Sequence, residues 1–172
     1  FKNIETNLLV TPSVLKDYLN IVIVILFASV VALSGSHKSE LYNGYPILFL
    51  CMSASFFVHW IVFLPSYFAK TEKFYDITGT VAYIILLFIA SNLTLVSIDD
   101  PLHLRSKIAI GLVLLWAIRL GLFLFTRVIK VGEDRRFREA KKSFSKYLLW
   151  WSMSALWVFL TTANALTLII NN

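Results

Sequence analysis

YLLWWSMSALWVFLTTANALTLII, residues 147–170, runs for twenty-four positions without a charged side chain. A helix needs about 20 residues to cross the hydrocarbon core of a bilayer, so this stretch is long enough to span one. It shows no clean period-two alternation of the kind a membrane β-barrel requires. Backbone N–H and C=O groups in lipid must pair within their own segment, which leaves helix as its conformation. Four more runs of the same character precede it: Tyr18–Ser34, Pro46–Leu64, Ile77–Ile98 and Ile108–Thr126. Pro46 suits a first helical turn, and Pro65 follows the end of its run. The composition agrees, because only 15% of residues are charged, whereas a soluble domain carries about 25%. The expected fold is all-α: one polytopic membrane helical bundle over residues 1–172, with five transmembrane helices. The lone cysteine, Cys51, lies inside an apolar run and has no internal partner for a disulfide.

Directly ahead of the last run stands RVIKVGEDRRFREAKKSFSK, residues 127–146, which holds eight of the sixteen Lys and Arg residues. Gly132 is placed to cap the fourth run, and Glu133 and Asp134 sit where a new helix's N-terminal dipole favours acids. Phe137, Ala140, Phe144 and Tyr147 recur at spacings of three and four. That pattern predicts an amphipathic interfacial helix over 131–146. Counting basic residues sets the sidedness. The N-terminus, the 65–76 connection and the 127–146 connection lie on one face and hold twelve (two, two and eight), against Lys38, Arg105 and Lys107 on the other. The richer face is expected toward cytosol, matrix or stroma. Basic residues grouped beside spans attract lipid headgroups rather than nucleic acid.

Arg119 is the one charge well inside a span, eight residues before Arg127. An Arg at mid-bilayer costs about 2.5–3.5 kcal/mol on insertion scales, so an acceptor inside the bundle or at a chain interface is expected, Asn92 among the choices. His59 and His103 lack companions at metal-ligand spacing, and a hydrogen-bonded intramembrane histidine is the reading for His59. No Ser–His–Asp set and no glycine-rich phosphate loop is legible. Ala28/Ala32 and Ala117/Gly121 form small-residue faces for close helix contact. Trp150 and Trp157, seven apart, share a helix face. Arg136, Arg138, Lys141, Lys142, Trp150, Trp151 and Trp157 are expected to touch lipid or partner chains.

Four pieces in order carry a family resemblance: Tyr75-Asp76-Ile77-Thr78-Gly79, then Leu115-Trp116-Ala117-Ile118-Arg119-Leu120-Gly121-Leu122-Phe123, then Gly132-Glu133-Asp134-Arg135-Arg136-Phe137, and Leu156-Trp157-Val158-Phe159. Over about residues 74–164 the chain resembles the N-terminal half of the steroid 5-alpha-reductase-related membrane family, including its bacterial-type members of unknown function. The resemblance implies a multi-span helical oxidoreductase that uses NADPH to reduce a double bond of a lipid- or steroid-like substrate. It makes Arg119, Arg127 and Arg135 candidates for cofactor phosphates, with Glu133 and Asp134 orienting them and Asp76 lining the same cavity.

The family's second half carries an Arg-His-Pro and an Asn-Tyr element that help hold the cofactor. No His-Pro or Asn-Tyr dipeptide occurs in this chain, which stops two residues after its fifth run. Two functions follow as expectations. The first is a non-catalytic structural or accessory subunit of a larger membrane complex, with no cofactor, no catalytic residue and no metal. The alternative is an NADPH-dependent membrane reductase whose C-terminal half is missing here.

Overall fold

The structure, a computed structural model, describes residues 12–37, 39–98, 100–131 and 134–171, without the side chains at 131 and 135. Five long helices form it: α1 Pro12–Gly35, α2 Ile47–Phe68, α3 Tyr75–Ile98, α4 Leu104–Val131 and α5 Phe144–Ile170. Each is long and apolar enough to cross a membrane. The all-α membrane bundle expected from the five runs is therefore the observed architecture.

The helices overrun their apolar cores. α1 begins at Pro12 rather than Tyr18, and α4 extends from Leu104 to Val131 rather than from Ile108 to Thr126. An apolar run marks hydrocarbon depth, whereas helical hydrogen bonding continues among polar side chains beyond it. α2 also passes Pro65, which was expected to lie beyond its end. The proline lacks its own N–H, but its carbonyl accepts the Ala69 N–H at 3.0 Å and the last turn closes.

Between α1 and α2 lies a hairpin that the periodicity does not announce. Strands β1 (Leu41–Tyr42) and β2 (Tyr45–Pro46) pair antiparallel. Asn43 and Gly44 turn the chain with φ of 50° and 81°. Asn-Gly is the sequence signal for such a two-residue turn, because both positions need positive φ.

α5 packs against each of the other four helices, and α1–α2, α2–α3 and α3–α4 pack as neighbours, so α1 to α4 form an arc around α5. The small-residue faces are used inside this arrangement. Ala28, Ala32 and Ala117 are buried. At Gly121, α4 crosses α3 so closely that an added Cβ would stand 2.0 Å from Thr80 Oγ1.

The 131–146 segment differs from the expected interfacial helix. α4 runs on to Val131, and two short 3₁₀ turns, Arg135–Phe137 and Ala140–Lys142, lead into α5. A 3₁₀ turn holds three residues, which puts Phe137 and Ala140 on one side. Both are buried. Phe137 packs on Tyr75 and Trp150, with ring centroids 4.6 and 5.3 Å apart. The apolar stripe therefore covers the ends of α3 and α5 instead of lying on a bilayer surface. Gly132 and Glu133, read as a helix cap and an N-terminal acid, lie outside the described residues.

Candidate functional site

Three helices present facing stripes at helical spacing. Tyr75, Asp76, Gly79, Thr80 and Tyr83 come from α3, Leu120 and Leu124 from α4, and Trp150, Met153, Ser154, Trp157 and Val158 from α5. With Arg136 from the first 3₁₀ turn they line a cavity of about 430 Å³. Gly79 and Thr80 keep the α3 wall low, while the two tryptophans form a broad apolar flank.

Charge is concentrated where Arg136 meets α3. Asp134 accepts Arg136 Nε on both carboxylate oxygens at 3.0 Å, takes Nη2 as well, and accepts the Arg136 backbone N–H at 3.0 Å. Arg127 Nη2 stands 3.9 Å from the same carboxylate. The hydrogen bonds from Arg136 hold the Asp134 carboxyl below the ordinary range, and the same pairing raises the Arg136 guanidinium. Because the folded carboxylate is favoured, its contribution to stability is present above the ordinary carboxylate range and is lost as pH falls through the lowered value.

Asp76 is half-buried on the cavity wall. It lies in the electrostatic field of Arg136 and Arg127, yet no hydrogen bond or ion pair reaches it among the described residues. Its acceptor capacity is open toward the cavity. Tyr75 and Tyr83 are committed elsewhere: the first donates to the Trp150 carbonyl at 2.9 Å, and the second is bonded to Thr161 Oγ1 at 2.7 Å. Behind Ser154 lies His59. Its Nδ1 donates to the Ser55 carbonyl at 2.7 Å, which leaves Nε2 to accept from Ser154 Oγ at 3.2 Å. His59 is thus a hydrogen-bonded intramembrane histidine, as read.

The Arg136 turn is held by a residue that the sequence reading passed over. Glu72, 4% exposed, accepts the Asp134 N–H at 2.9 Å through Oε1 and the Lys141 ammonium through Oε2. Tyr147 OH donates to the Thr71 carbonyl at 2.8 Å. The 65–76 and 134–147 segments are therefore latched together at one end of the bundle, as the sidedness count required. In KTEKFYD no local signal distinguishes Glu72 from an exposed loop acid, since its partners lie more than sixty residues away.

Of the residues expected to touch lipid or partner chains, Lys141 and Trp151 are turned inward. Lys141 serves the Glu72 latch, and Arg136 pairs with Asp134 and lines the cavity. Lys142 pairs with Glu139 at 2.7 Å. Trp151 is fully buried in the aromatic cluster with Phe63 and Tyr147. One position from Trp150, it is turned about 100° around the helix, away from the cavity. Trp150 and Trp157 do share a face, the one lining the cavity. Arg138 is exposed. Arg119 does not enter the bundle. It is exposed on α4, and no described residue hydrogen-bonds or ion-pairs with it. Asn92, offered as its acceptor, is exposed on α3 and donates to Phe88 O at 2.8 Å. Helix rotation decides this, because the contact face of α4 is set by Ala117 and Gly121, and Arg119 falls on the opposite side. Arg127 stands at Asp134. Glu133 and the Arg135 side chain lie outside the described residues.

Residues 62–171 match the model of the family described as "Protein of unknown function (DUF1295)". That segment includes every residue lining the cavity. No curated protein and no solved structure matches the chain. The match covers more than half of the sequence, and the chain belongs to that family.

Proposed function

We propose that this member of the DUF1295 family binds a lipid-like ligand in the α3–α4–α5 cavity, and that the cavity is the substrate side of an NADPH-dependent oxidoreductase. One observation carries the reading: Asp76, a carboxylate that no described residue hydrogen-bonds or ion-pairs, shares the wall of an aromatic cavity with the guanidinium of Arg136. Trp150, Trp157 and Met153 suit an apolar body, and the Asp76–Arg136 end suits a polar group on it. The resemblance to the steroid 5-alpha-reductase-related family supports the same class of ligand. NADPH supplies a hydride when bound. Arg127, 3.9 Å from Asp134, is the described basic residue beside the cavity that would face the NADPH phosphates, while Arg119 stands apart. The basic face then meets cytosol, matrix or stroma, where the cofactor is found.

The test uses the purified chain in phosphatidylcholine nanodiscs, with intrinsic fluorescence as readout because Trp150 and Trp157 line the cavity. A 3-oxo-4-ene steroid should quench saturably. Asp76→Asn and Arg136→Ala should each weaken it about tenfold, equivalent to ~1.4 kcal/mol. NADPH binding should survive about 0.3 M salt, at which attraction to exposed charge alone is screened. No saturable change with either compound would overturn the reading. A second function, a non-catalytic accessory subunit of a membrane complex, draws on a different feature, the uncovered outer face of α4.

A further inference from the structure

α4 is the least covered helix: 11% of its apolar window is buried, against 44% for α2 and for α5. Its outward face is a continuous stripe of Leu112, Leu115, Leu122 and Phe123, each more than half exposed. At the centre of that stripe, seven and four residues after the first two and three and four before the others, stands Arg119. This is the spacing of one helix's contact seam.

Arg119 lies eight residues before Arg127 and twelve after Lys107, about 12 and 18 Å along the axis. Lipid headgroups are therefore beyond its reach from either side without drawing the bilayer inward. Ionisable groups at such depth pair inside the membrane with a second polar group, and among the described residues this one has none.

We propose that the Leu112–Phe123 face of α4 docks a transmembrane helix that carries a carboxylate at the depth of Arg119. The partner's acid supplies the charge complement, and its apolar residues cover the leucines and Phe123. A second copy of this chain does not fit. Among the described acids, only Asp17 and Asp76 fall inside a spanning helix, both within its first two turns. Neither reaches the middle of the membrane. The inference is independent of what the cavity binds.

The experiment places the chain in phosphatidylcholine vesicles with a synthetic leucine–alanine transmembrane peptide bearing one central Asp and a dansyl acceptor. The chain's five tryptophans serve as donors. The central-Asp peptide should bind about tenfold more tightly than its central-Leu counterpart, equivalent to ~1.4 kcal/mol. Arg119→Leu should remove that preference, and Arg119→Lys should keep most of it. Leu at a lipid-facing position preserves the helix. If circular dichroism shows otherwise, the Arg119→Lys result and a peptide with its Asp moved to one end carry the test, the moved Asp being expected to lose the preference. Equal binding of Asp and Leu peptides, or a preference that survives Arg119→Leu, overturns the proposal. So does loss of the preference when phosphatidylglycerol replaces half the lipid, which would assign the site to an anionic headgroup. Arg119-dependent self-association without peptide would assign it to a second copy, and also overturns it.

Discussion

α4 and α5 are both long, largely apolar helices, but they end in opposite places. The most apolar 18-residue stretch of α4 has the higher mean hydropathy, 2.4 against 1.7 for that of α5, and is the less buried, 11% against 44%. In water the ranking would be reversed. In lipid, apolar side chains gain little by leaving the hydrocarbon, whereas small and hydroxyl-bearing residues gain close packing and hydrogen bonds by meeting other helices. α5 buries Ser145, Ser152, Ala155 and Thr162. Its Ser152 Oγ accepts from Trp60 Nε1 at 3.1 Å, and the Ala155 carbonyl accepts from Ser55 Oγ at 2.8 Å. α4 offers Leu, Ile and Phe around most of its circumference, and lipid solvates them well.

The sharpest way to break this contrast is at the latch that sets where α5 begins. Glu72→Ala leaves the Lys141 ammonium and the Asp134 N–H without their shared acceptor. Removing one partner of a buried pair costs about 3–5 kcal/mol. Thermal unfolding in mild detergent should show this as the largest loss of stability among the variants named here.

Within α5, Ala155→Leu adds bulk at a position with no exposure. Overpacking of this kind costs about 1–3 kcal/mol. The same unfolding assay should show an intermediate loss, and an unchanged midpoint would mean that α5 is not the packed centre. On α4, Leu115→Ala removes a side chain that is 68% exposed. Its effect should stay within about 0.5 kcal/mol. A larger loss in the purified chain would show that this face is packed against protein.

The candidate site was legible in proportion to how local its interactions are. Asp134 and Arg136 stand two positions apart; the family resemblance makes Asp134 an acid that orients arginines, but the arginine it holds, Arg136, was expected at lipid or a partner. Asp76 was placed on a cavity by family resemblance, and Trp150 and Trp157 were placed on one face by their spacing. Glu72 was missed because its partners, Asp134 and Lys141, are remote in sequence. For Arg119, depth alone suggests a buried partner and leaves open whether it lies inside the bundle or at a chain interface. The direction of Arg119 depends on which stripe of α4 meets α3, and Gly121 against Thr80 settles that. The expected interfacial helix failed for a related reason. Burial of Phe137 and Ala140 beside Tyr75 and Trp150 satisfied the apolar stripe without a bilayer surface.

Sequence alone determined that the chain is a five-span helical membrane protein and that its basic connections share one face. Both follow from properties that accumulate along a segment: apolar length against bilayer thickness, and counted charge. Tertiary structure alone decided that α5 is central, that Glu72 holds the Arg136 turn over a cavity, and that Arg119 faces outward. Each depends on how segments remote in sequence meet, and for Arg119 on the rotation of α4 against α3. A rotation of about 100° separates neighbouring residues on a helix, so it moves a side chain from core to lipid while leaving the hydropathy of the run unchanged.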